Sequence, residues 1–241
     1  MTHANKVFVP LDTPSLDVAL DWAARLKGIV GGLKLGLEFF GAQGPEGLRR
    51  VAATGMPIFL DLKFHDIPNT VAGAVASVTP LAPFMMTIHA GGGQAMMRAA
   101  VDAAGETAAK AGVPRPKLLG VTVLTSLDDS DLHAAGVAGS VEHQVVRLAR
   151  LAQDSGLDGV VCSPKEIVPI RHACGPDLIL LVPGIRPAGS ASGDQKRVMT
   201  PREAADAGAT YLVIGRPIIA AADPRLAAQS IAESLDTAVA G

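Results

Sequence analysis

The chain of 241 residues has few aromatic side chains and almost no net charge. Aromatic residues make up 3% of the sequence and apolar residues 49%, so we expect a core of Ala, Val, Leu and Ile packed between strands and helices. A net charge of −2 gives no long-range attraction toward nucleic acid or a membrane surface. The composition therefore argues against both kinds of partner and allows one large core.

Cysteine and long apolar runs are scarce as well. The two cysteines, Cys162 and Cys174, lie outside any metal-ligand spacing and are predicted to be free thiols in a reducing compartment, although a disulfide between them stays open. The N-terminal residues contain no apolar run of the length that a signal peptide needs, and every later run is too short to span a bilayer. We therefore expect a cytoplasmic protein.

Short β-rich runs alternate with Ala-rich helical patterns along the whole sequence. Such alternation predicts a parallel sheet covered by helices, and eight units favour an α/β (β/α)8 TIM barrel, for which about 250 residues is typical. We find no linker or low-complexity block, so residues 1–241 are predicted to form a single domain. The predicted strands are residues 7–11, 32–37, 57–63, 84–89, 118–124, 159–162, 178–183 and 211–214, and the main helices are residues 15–27, 44–53, 71–78, 95–111, 141–155, 165–173, 201–207 and 224–238.

Polar residues gather at the carboxyl ends of the predicted strands. These ends meet at one rim of a TIM barrel, which is where such barrels carry their functional groups. The residues at this rim are Asp12, Lys34, Asp61, Lys63, His89, Thr125, Ser126, Ser163, Arg186 and Arg216.

The stretch 61–70 holds the densest cluster of charge. Asp61 and Lys63 are two residues apart and therefore share one face of a strand. Together with Lys34 and Asp66 they form an alternating set of charges, which is either a structural ion-pair network or, as we favour, a functional site in the barrel mouth. With carboxylates beside it, Lys63 is predicted to stay an ammonium group, which favours a proton donor over a Schiff-base nucleophile.

Two segments near the C-terminal end predict a phosphate site. Gly215 and Arg216 follow the eighth strand and offer a backbone N–H and a guanidinium group, in a position where TIM barrels often bind phosphate. The segment 183–195 is long, rich in Gly and Ser, and polar enough to close over a ligand. A merely solvated loop is the alternative.

The histidines do not indicate a metal site. His65 and His89 share no spacing that would place two ligands on one metal together with Asp61 or Asp66. His65 is predicted to point toward the helices, and the three glycines at 91–93 lack the spacing of a dinucleotide fingerprint. We therefore expect neither a metal nor a cofactor.

Six motifs resemble those of orotidine 5′-phosphate decarboxylases of type 1, and they extend over nearly the whole chain. The most specific is Asp-Leu-Lys-Phe-His-Asp-Ile-Pro-Asn-Thr at 61–70, whose Asp-x-Lys-x-x-Asp core alone is shared with a related sugar-phosphate decarboxylase. The others are Leu-Asp at 11–12, Leu-Lys-Leu-Gly at 33–36, Val-Leu-Thr-Ser at 123–126, Val-Pro-Gly-Ile-Arg-Pro at 182–187 and Ile-Gly-Arg-Pro at 214–217. The resemblance implies cofactor-free decarboxylation of orotidine 5′-monophosphate to UMP in pyrimidine biosynthesis.

The resemblance also implies a role for each matching residue. Lys63 is implied to protonate C6 of the pyrimidine, Asp61 to face the departing carboxylate, and Lys34 to link a ribose hydroxyl to Asp61. Asp66 and Thr70 are implied to reach into the site of a partner subunit, so a homodimer is expected. The other residues are implied to bind the substrate. Asp12 is implied to bind the ribose, and Thr125, or with less support Ser126, the edge of the pyrimidine. Pro183 and Arg186 are implied to lie along the ligand, and the phosphate is implied to be bound by Gln195, Gly215 and Arg216.

Three other functions stay open on the same residues. A metal-assisted sugar-phosphate decarboxylase would bind Mg²⁺ through Asp61, a non-catalytic barrel would only bind a phosphate ligand, and a Schiff-base aldolase would use Lys63 as nucleophile. Chelation of metals distinguishes the metal-assisted decarboxylase from the function that we favour. Borohydride trapping distinguishes the aldolase from it.

Overall fold

Eight parallel strands close into a barrel in the order of the chain. The computed structural model describes residues 6–187 and 199–236. The predicted (β/α)8 TIM barrel is confirmed, and every strand end lies within three residues of its predicted place. The strands are β1 (Val7–Leu11), β2 (Gly32–Gly36), β3 (Ile58–Phe64), β4 (Met85–His89), β5 (Lys117–Val121), β6 (Gly159–Val161), β7 (Ile179–Pro183) and β8 (Tyr211–Val213).

The helices cover the outside of the barrel. They are α1 (Leu16–Leu26), α2 (Leu37–Ala52), α3 (Pro68–Val78), α4 (Gly93–Ala111), α5 (Asp129–Ala134), α6 (Val141–Asp154), α7 (Ile167–Cys174), α8 (Pro201–Asp206), α9 (Arg216–Ile219) and α10 (Pro224–Asp236). The sequence did not predict α5 and α9, because helices of one or two turns contain too few apolar positions to show a helical period. In the part of the chain that the structure describes, no helix is long and apolar enough to cross a membrane.

Helix α2 begins earlier than its apolar pattern predicts. The predicted helix started at residue 44, whereas α2 starts at Leu37. Gly44 has a non-helical φ of 59° and is followed by Pro45, so α2 consists of two segments joined at a kink. The prediction therefore found the second segment and missed the first.

The sheet separates two apolar layers of different composition. Outside the strands the core is mainly aliphatic, as the composition predicts. Inside the barrel, four aromatic rings pack together at the amino-terminal ends of the strands: Phe8, Phe59, Phe84 and Tyr211. Phe8 stacks on Phe84 with 5.9 Å between ring centroids and meets Tyr211 edge-on at 5.6 Å. The prediction of an aliphatic core between strands and helices is therefore confirmed, and the barrel interior adds an aromatic cluster that composition alone did not locate.

Candidate active site

Asp61 and Lys63 lie at the carboxyl end of β3, where the strand is irregular. The register between β3 and β4 shifts between Leu60 and Phe64, and Lys63 has a left-handed φ of 51°. A bulge of this kind bends a strand and redirects its side chains. Both side chains line the same cavity in the barrel mouth, and Asp61 is buried with 8% of its surface exposed.

Four charged side chains form a continuous series of ion pairs beside this cavity. Lys63 Nζ lies 2.9 Å from Asp61 Oδ2, and Lys34 Nζ lies 3.5 Å from the same oxygen. Lys34 Nζ also lies 3.4 Å from Oδ1 of Asp12. The structure thus brings together Lys34, Asp61 and Lys63, as the sequence predicts, and adds Asp12 at the outer end.

The two ammonium groups keep Asp61 ionised. Burial is the largest influence and raises the pKa of Asp61, but the charges of Lys34 and Lys63, with hydrogen bonds from Lys63 and Thr87, outweigh it and hold that pKa below its ordinary value. The site therefore presents two cations and one inner carboxylate next to an apolar wall. Fixed charges in such a water-poor place act strongly on any charge that develops in a ligand.

Asp66 does not join this series within one chain. Its exposed carboxylate accepts a hydrogen bond from the amide of Ile67 at 2.7 Å, and Thr70, in the first turn of α3, is exposed as well. The alternating order Lys34, Asp61, Lys63, Asp66 is therefore wrong for a single chain. The chain leaves the sheet after Phe64, so the two-residue alternation of a strand no longer applies at Asp66.

The cavity beside Lys63 is mainly apolar and has a volume of about 190 Å³. Its apolar wall includes Phe59, Val121, Leu181 and Val213, so the aromatic layer lies at its base. The few polar groups that reach it are those of Lys34, Asp61, Lys63 and Thr125. An apolar wall with a few fixed polar groups is typical of a site that orients a small organic molecule.

A second cavity of about 370 Å³ adjoins the first and is basic. The two share Lys34, Pro183 and Val213, and the second is also lined by Arg186, Gly215 and Arg216. Arg186 is 8% exposed, and burial, followed by the charge of Arg216, lowers its pKa. Two guanidinium groups that repel each other favour a bound anion between them. Arg216 begins α9 rather than lying in a loop.

Comparisons with known proteins agree with this geometry. A family model described as orotidine 5′-phosphate decarboxylase / HUMPS family matches residues 5–231. The chain belongs to this family. The orotidine 5′-phosphate decarboxylase of Paramagnetospirillum magneticum is 56% identical over 231 residues, which cover 96% of this chain and 98% of that protein. The corresponding protein of Rhodospirillum rubrum is 56% identical over 229 residues, 95% of this chain and 93% of that protein.

A solved structure in the orotidine 5′-phosphate decarboxylase family has the same fold. The crystal structure of orotidine 5′-phosphate decarboxylase from Lactobacillus acidophilus is 35% identical, has a TM-score of 0.84, and covers 96% of this chain and 99% of that chain. The family resemblance is thus confirmed, and so is the class of enzyme: a carboxy-lyase, orotidine 5′-phosphate decarboxylase, of pyrimidine biosynthesis. The alternative functions on the same barrel find no support among these relatives.

Of the other residues that the family resemblance singled out, some line the cavities and others do not. Thr125 lines the apolar cavity, and Pro183 lines both cavities. Ser126 is exposed at the same turn as Thr125 but does not line either of these cavities. Gln195 lies outside the described residues, as does most of the polar segment that was predicted to close over a ligand.

Among the described residues, the histidines and cysteines form no group that could hold a metal ion. The ring of His65 stacks on that of His89 with 5.2 Å between centroids and lies next to Gly92, where α4 begins. Cys162 and Cys174 are free and buried, as predicted, and burial raises the pKa of both thiols. Among residues 6–187 and 199–236, no three His, Cys, Asp or Glu side chains converge in an arrangement that could hold a metal ion.

Sequence reasoning missed the apolar wall of the cavity and a polar residue beside it, Thr87 on β4. It is completely buried, and its hydroxyl lies 2.9 Å from Asp61 Oδ1. The only signal was its position two residues before His89, which gives both residues the same face of the strand. A threonine on an apolar strand is ordinarily unremarkable, because it has a high preference for strands.

Proposed function

We propose that this family member decarboxylates orotidine 5′-monophosphate without a cofactor and that Lys63 is the acid that protonates C6. The observation that carries the proposal is the Lys63 ammonium group, held 2.9 Å from a buried carboxylate at an apolar cavity that adjoins a basic one. The substrate has matching parts. Its pyrimidine suits the apolar cavity, and its phosphate suits Arg186 and Arg216.

The difficult step is the loss of CO2 from C6 of the ring. The electron pair of the broken C–C bond stays at C6, in the plane of the ring, where no carbonyl group can delocalise it. The protein must therefore stabilise this carbanion with charges that are already in position. The ammonium group of Lys63 supplies such a charge and then transfers a proton to C6, which yields UMP. Asp61 fixes Lys63 and, in this proposal, faces the departing carboxylate.

The remaining candidates bind parts of the substrate that do not react. Asp12 and Lys34, which lie 3.4 Å apart, would bind ribose hydroxyls. Thr125 would bind the edge of the pyrimidine, and Ser126 is the weaker candidate for this role. Two residues, Pro183 and Arg186, would lie along the ligand. The phosphate would be bound by Gln195, Gly215 and Arg216. Because the phosphate is remote from C6, its binding energy would contribute to turnover by closing loops over the ligand and orienting the ring.

The test is the loss of orotidine 5′-monophosphate absorbance with the native chain and an excess of metal chelator. We expect turnover to stay within about twofold of the value without chelator, because no step uses a metal as Lewis acid. Abolition of turnover by the chelator would instead support metal-assisted chemistry. Tight binding of UMP without turnover would identify a non-catalytic barrel. Trapping of a Schiff base on Lys63 by borohydride would identify an aldolase.

We also propose that the active unit is a homodimer in which Asp66 and Thr70 complete the partner's site. Three observations support this: Asp66 makes no ion pair in its own chain among the described residues, Thr70 is exposed beside it, and Ile67 between them is 67% exposed. A single exposed apolar side chain is common on protein surfaces, so the main support for the homodimer is the family motif that contains Asp66 and Thr70. The free buried thiols fit a cytoplasmic location, which we propose as well.

Mixing two inactive variants tests the shared site. Lys63→Ala and Asp66→Ala should each be nearly inactive, whereas an equimolar mixture that has exchanged subunits should recover about one quarter of native turnover, since half of the dimers are mixed and each has one complete site of two. A mixture of Lys63→Ala with Asp61→Ala is the control, because both defects lie in the same chain's network. No recovery in the first mixture, despite proven subunit exchange, would contradict the shared site.

A further inference from the structure

Thr87 on β4 connects the two residues of β3 on which the chemistry depends. Its Oγ1 lies 2.9 Å from Asp61 Oδ1, and the backbone amide of Lys63 donates to the same Oγ1 at 3.0 Å. A backbone N–H can only donate, so Oγ1 accepts from Lys63, and its single proton is free to go to the Asp61 carboxylate. The directions of both hydrogen bonds are therefore fixed by chemistry.

The position of Thr87 coincides with the bulge in β3. Leu60 pairs with Met86 and Phe64 pairs with Ile88, so Asp61, Leu62 and Lys63 lie opposite the single residue Thr87. Lys63 there adopts a φ of 51°, a conformation that a residue with a side chain rarely adopts. Such a conformation persists only when its surroundings determine it, and the hydroxyl of Thr87 is one such determinant.

The two oxygens of Asp61 are thereby assigned to different partners. Oδ1 accepts from Thr87, whereas Oδ2 accepts from Lys63 Nζ at 2.9 Å and lies 3.5 Å from Lys34 Nζ. Without the hydroxyl, the carboxylate could rotate about its Cβ–Cγ bond and offer either oxygen to the ammonium groups. Thr87 therefore fixes both the main chain at Lys63 and the carboxylate that holds its side chain.

We propose that Thr87 is a positioning residue for decarboxylation, which aims the Lys63 ammonium group by fixing the bulge and the Asp61 carboxylate together. The proposal rests on the proposed function, in which Lys63 is the acid. Thr87 itself does not line the cavity, so it acts through its two neighbours rather than on the substrate. A displacement of a catalytic group by about 1 Å is enough to lower turnover by on the order of a hundredfold.

The test uses two pairs of side chains that differ mainly in the hydroxyl group: threonine with Thr87→Val, and Thr87→Ser with Thr87→Ala. We expect Thr87→Val and Thr87→Ala to lower kcat about 10- to 100-fold and to change KM less than about threefold, while Thr87→Ser stays within about threefold of native. If Thr87→Val does not fold, the Ser and Ala pair still makes the comparison. Thr79→Val is the matched control, since Thr79 is equally buried and donates only to the carbonyl of Val75.

A pH profile of kcat separates positioning from mere stability. The hydrogen bond from Thr87 helps to hold the pKa of Asp61 down, so its loss should move the acidic limb of the profile to higher pH. The other groups that face Asp61 are Lys34 on β2, Lys63 on its own strand and His89 on β4, and they are the same in every variant. A variant that is only less stable would keep the acidic limb of the native enzyme.

Three results would overturn the proposal. Native kcat and an unmoved acidic limb in Thr87→Val would show that the hydroxyl positions nothing, and so would equal losses in Thr87→Ser and Thr87→Ala. Losses as large in Thr79→Val would show that buried threonine hydroxyls matter only for folding. Failure of the proposed function would be seen separately, as undiminished turnover of Lys63→Ala in the same assay.

Discussion

Replacement of Lys63 by alanine should reduce the turnover of orotidine 5′-monophosphate by at least about 10⁴-fold, because the variant loses both the proton donor and the positive charge beside C6. Binding of UMP should change far less, since the groups around the ribose and the phosphate stay in place. The measurement is single-turnover decay of substrate absorbance, with UMP affinity determined by calorimetry on the same preparation.

Lys27→Ala is the matched control for that experiment. Lys27 is exposed, and its Nζ donates to the carbonyl of Thr54 at 2.6 Å, away from both cavities. This control should retain native turnover. If Lys63→Ala kept more than about a tenth of native turnover, Lys63 could not be the acid, and a proton from solvent would have to be considered.

Asp61→Asn is the second substitution with a large expected effect. The amide keeps the shape of the carboxylate but loses the charge that holds Lys34 and Lys63, so turnover should fall about 10³-fold or more. Stability at pH 7 should fall by about 1–3 kcal/mol, because a buried charged hydrogen-bond acceptor is lost. Both quantities can be measured on one preparation, by turnover assay and by urea unfolding.

The stability difference between the native chain and Asp61→Asn should depend on pH in a defined direction. The folded-state pKa of Asp61 is lower than its ordinary value of 3.8, so its ionisation stabilises the fold above that value, and this contribution is lost as the pH falls through the folded-state pKa. The difference in unfolding free energy should therefore stay constant from pH 7 down to the neighbourhood of 3.8 and shrink as the pH falls further, toward the folded-state pKa. A difference that is constant with pH would contradict the assignment of charge to Asp61.

Asp158→Asn is the control that shows whether loss of an ion-paired carboxylate anywhere in the fold lowers turnover, or only loss of the one in the cavity. Asp158 lies 2.9 Å from Arg115 and accepts from the amide of Leu118, and it is not part of either cavity. Its substitution should lower stability through a lost ion pair while leaving turnover within about twofold of native. A comparable loss of turnover in Asp158→Asn would mean that the effect at Asp61 reflects folding alone.

The barrel and the inner charges were predictable from the sequence because both follow from simple periods. Strict alternation of strands and helices indicated eight parallel units, and the two-residue spacing of Asp61 and Lys63 placed both on one face. The link to Lys34 followed from its own place in β2. The identity of the substrate was predicted from the motifs of the whole family, because residue spacing alone does not indicate it.

The bulge in β3 and the contact with Thr87 were not predictable in the same way. A bulge changes the register between two strands that are 24 residues apart in sequence at Lys63 and Thr87, and no local pattern reports this register. Asp66 was grouped with Lys34, Asp61 and Lys63 because of its charge and its closeness in sequence, and neither property reports where a side chain points once the chain has left β3. The aromatic rings inside the barrel escaped prediction because composition gives their number but not their location.

Those four rings also determine how molecules enter and leave the protein. They pack at the amino-terminal ends of the strands, whereas the cavity at Lys63 adjoins the basic cavity lined by Asp12, Arg186 and Arg216. In the proposed reaction, carbon dioxide released beside Lys63 would leave through this shared opening, next to the bound nucleotide. Recombination of CO2 with the proposed carbanion would compete with this escape, so in the proposed mechanism fast proton transfer from Lys63 to C6 commits each turnover to UMP.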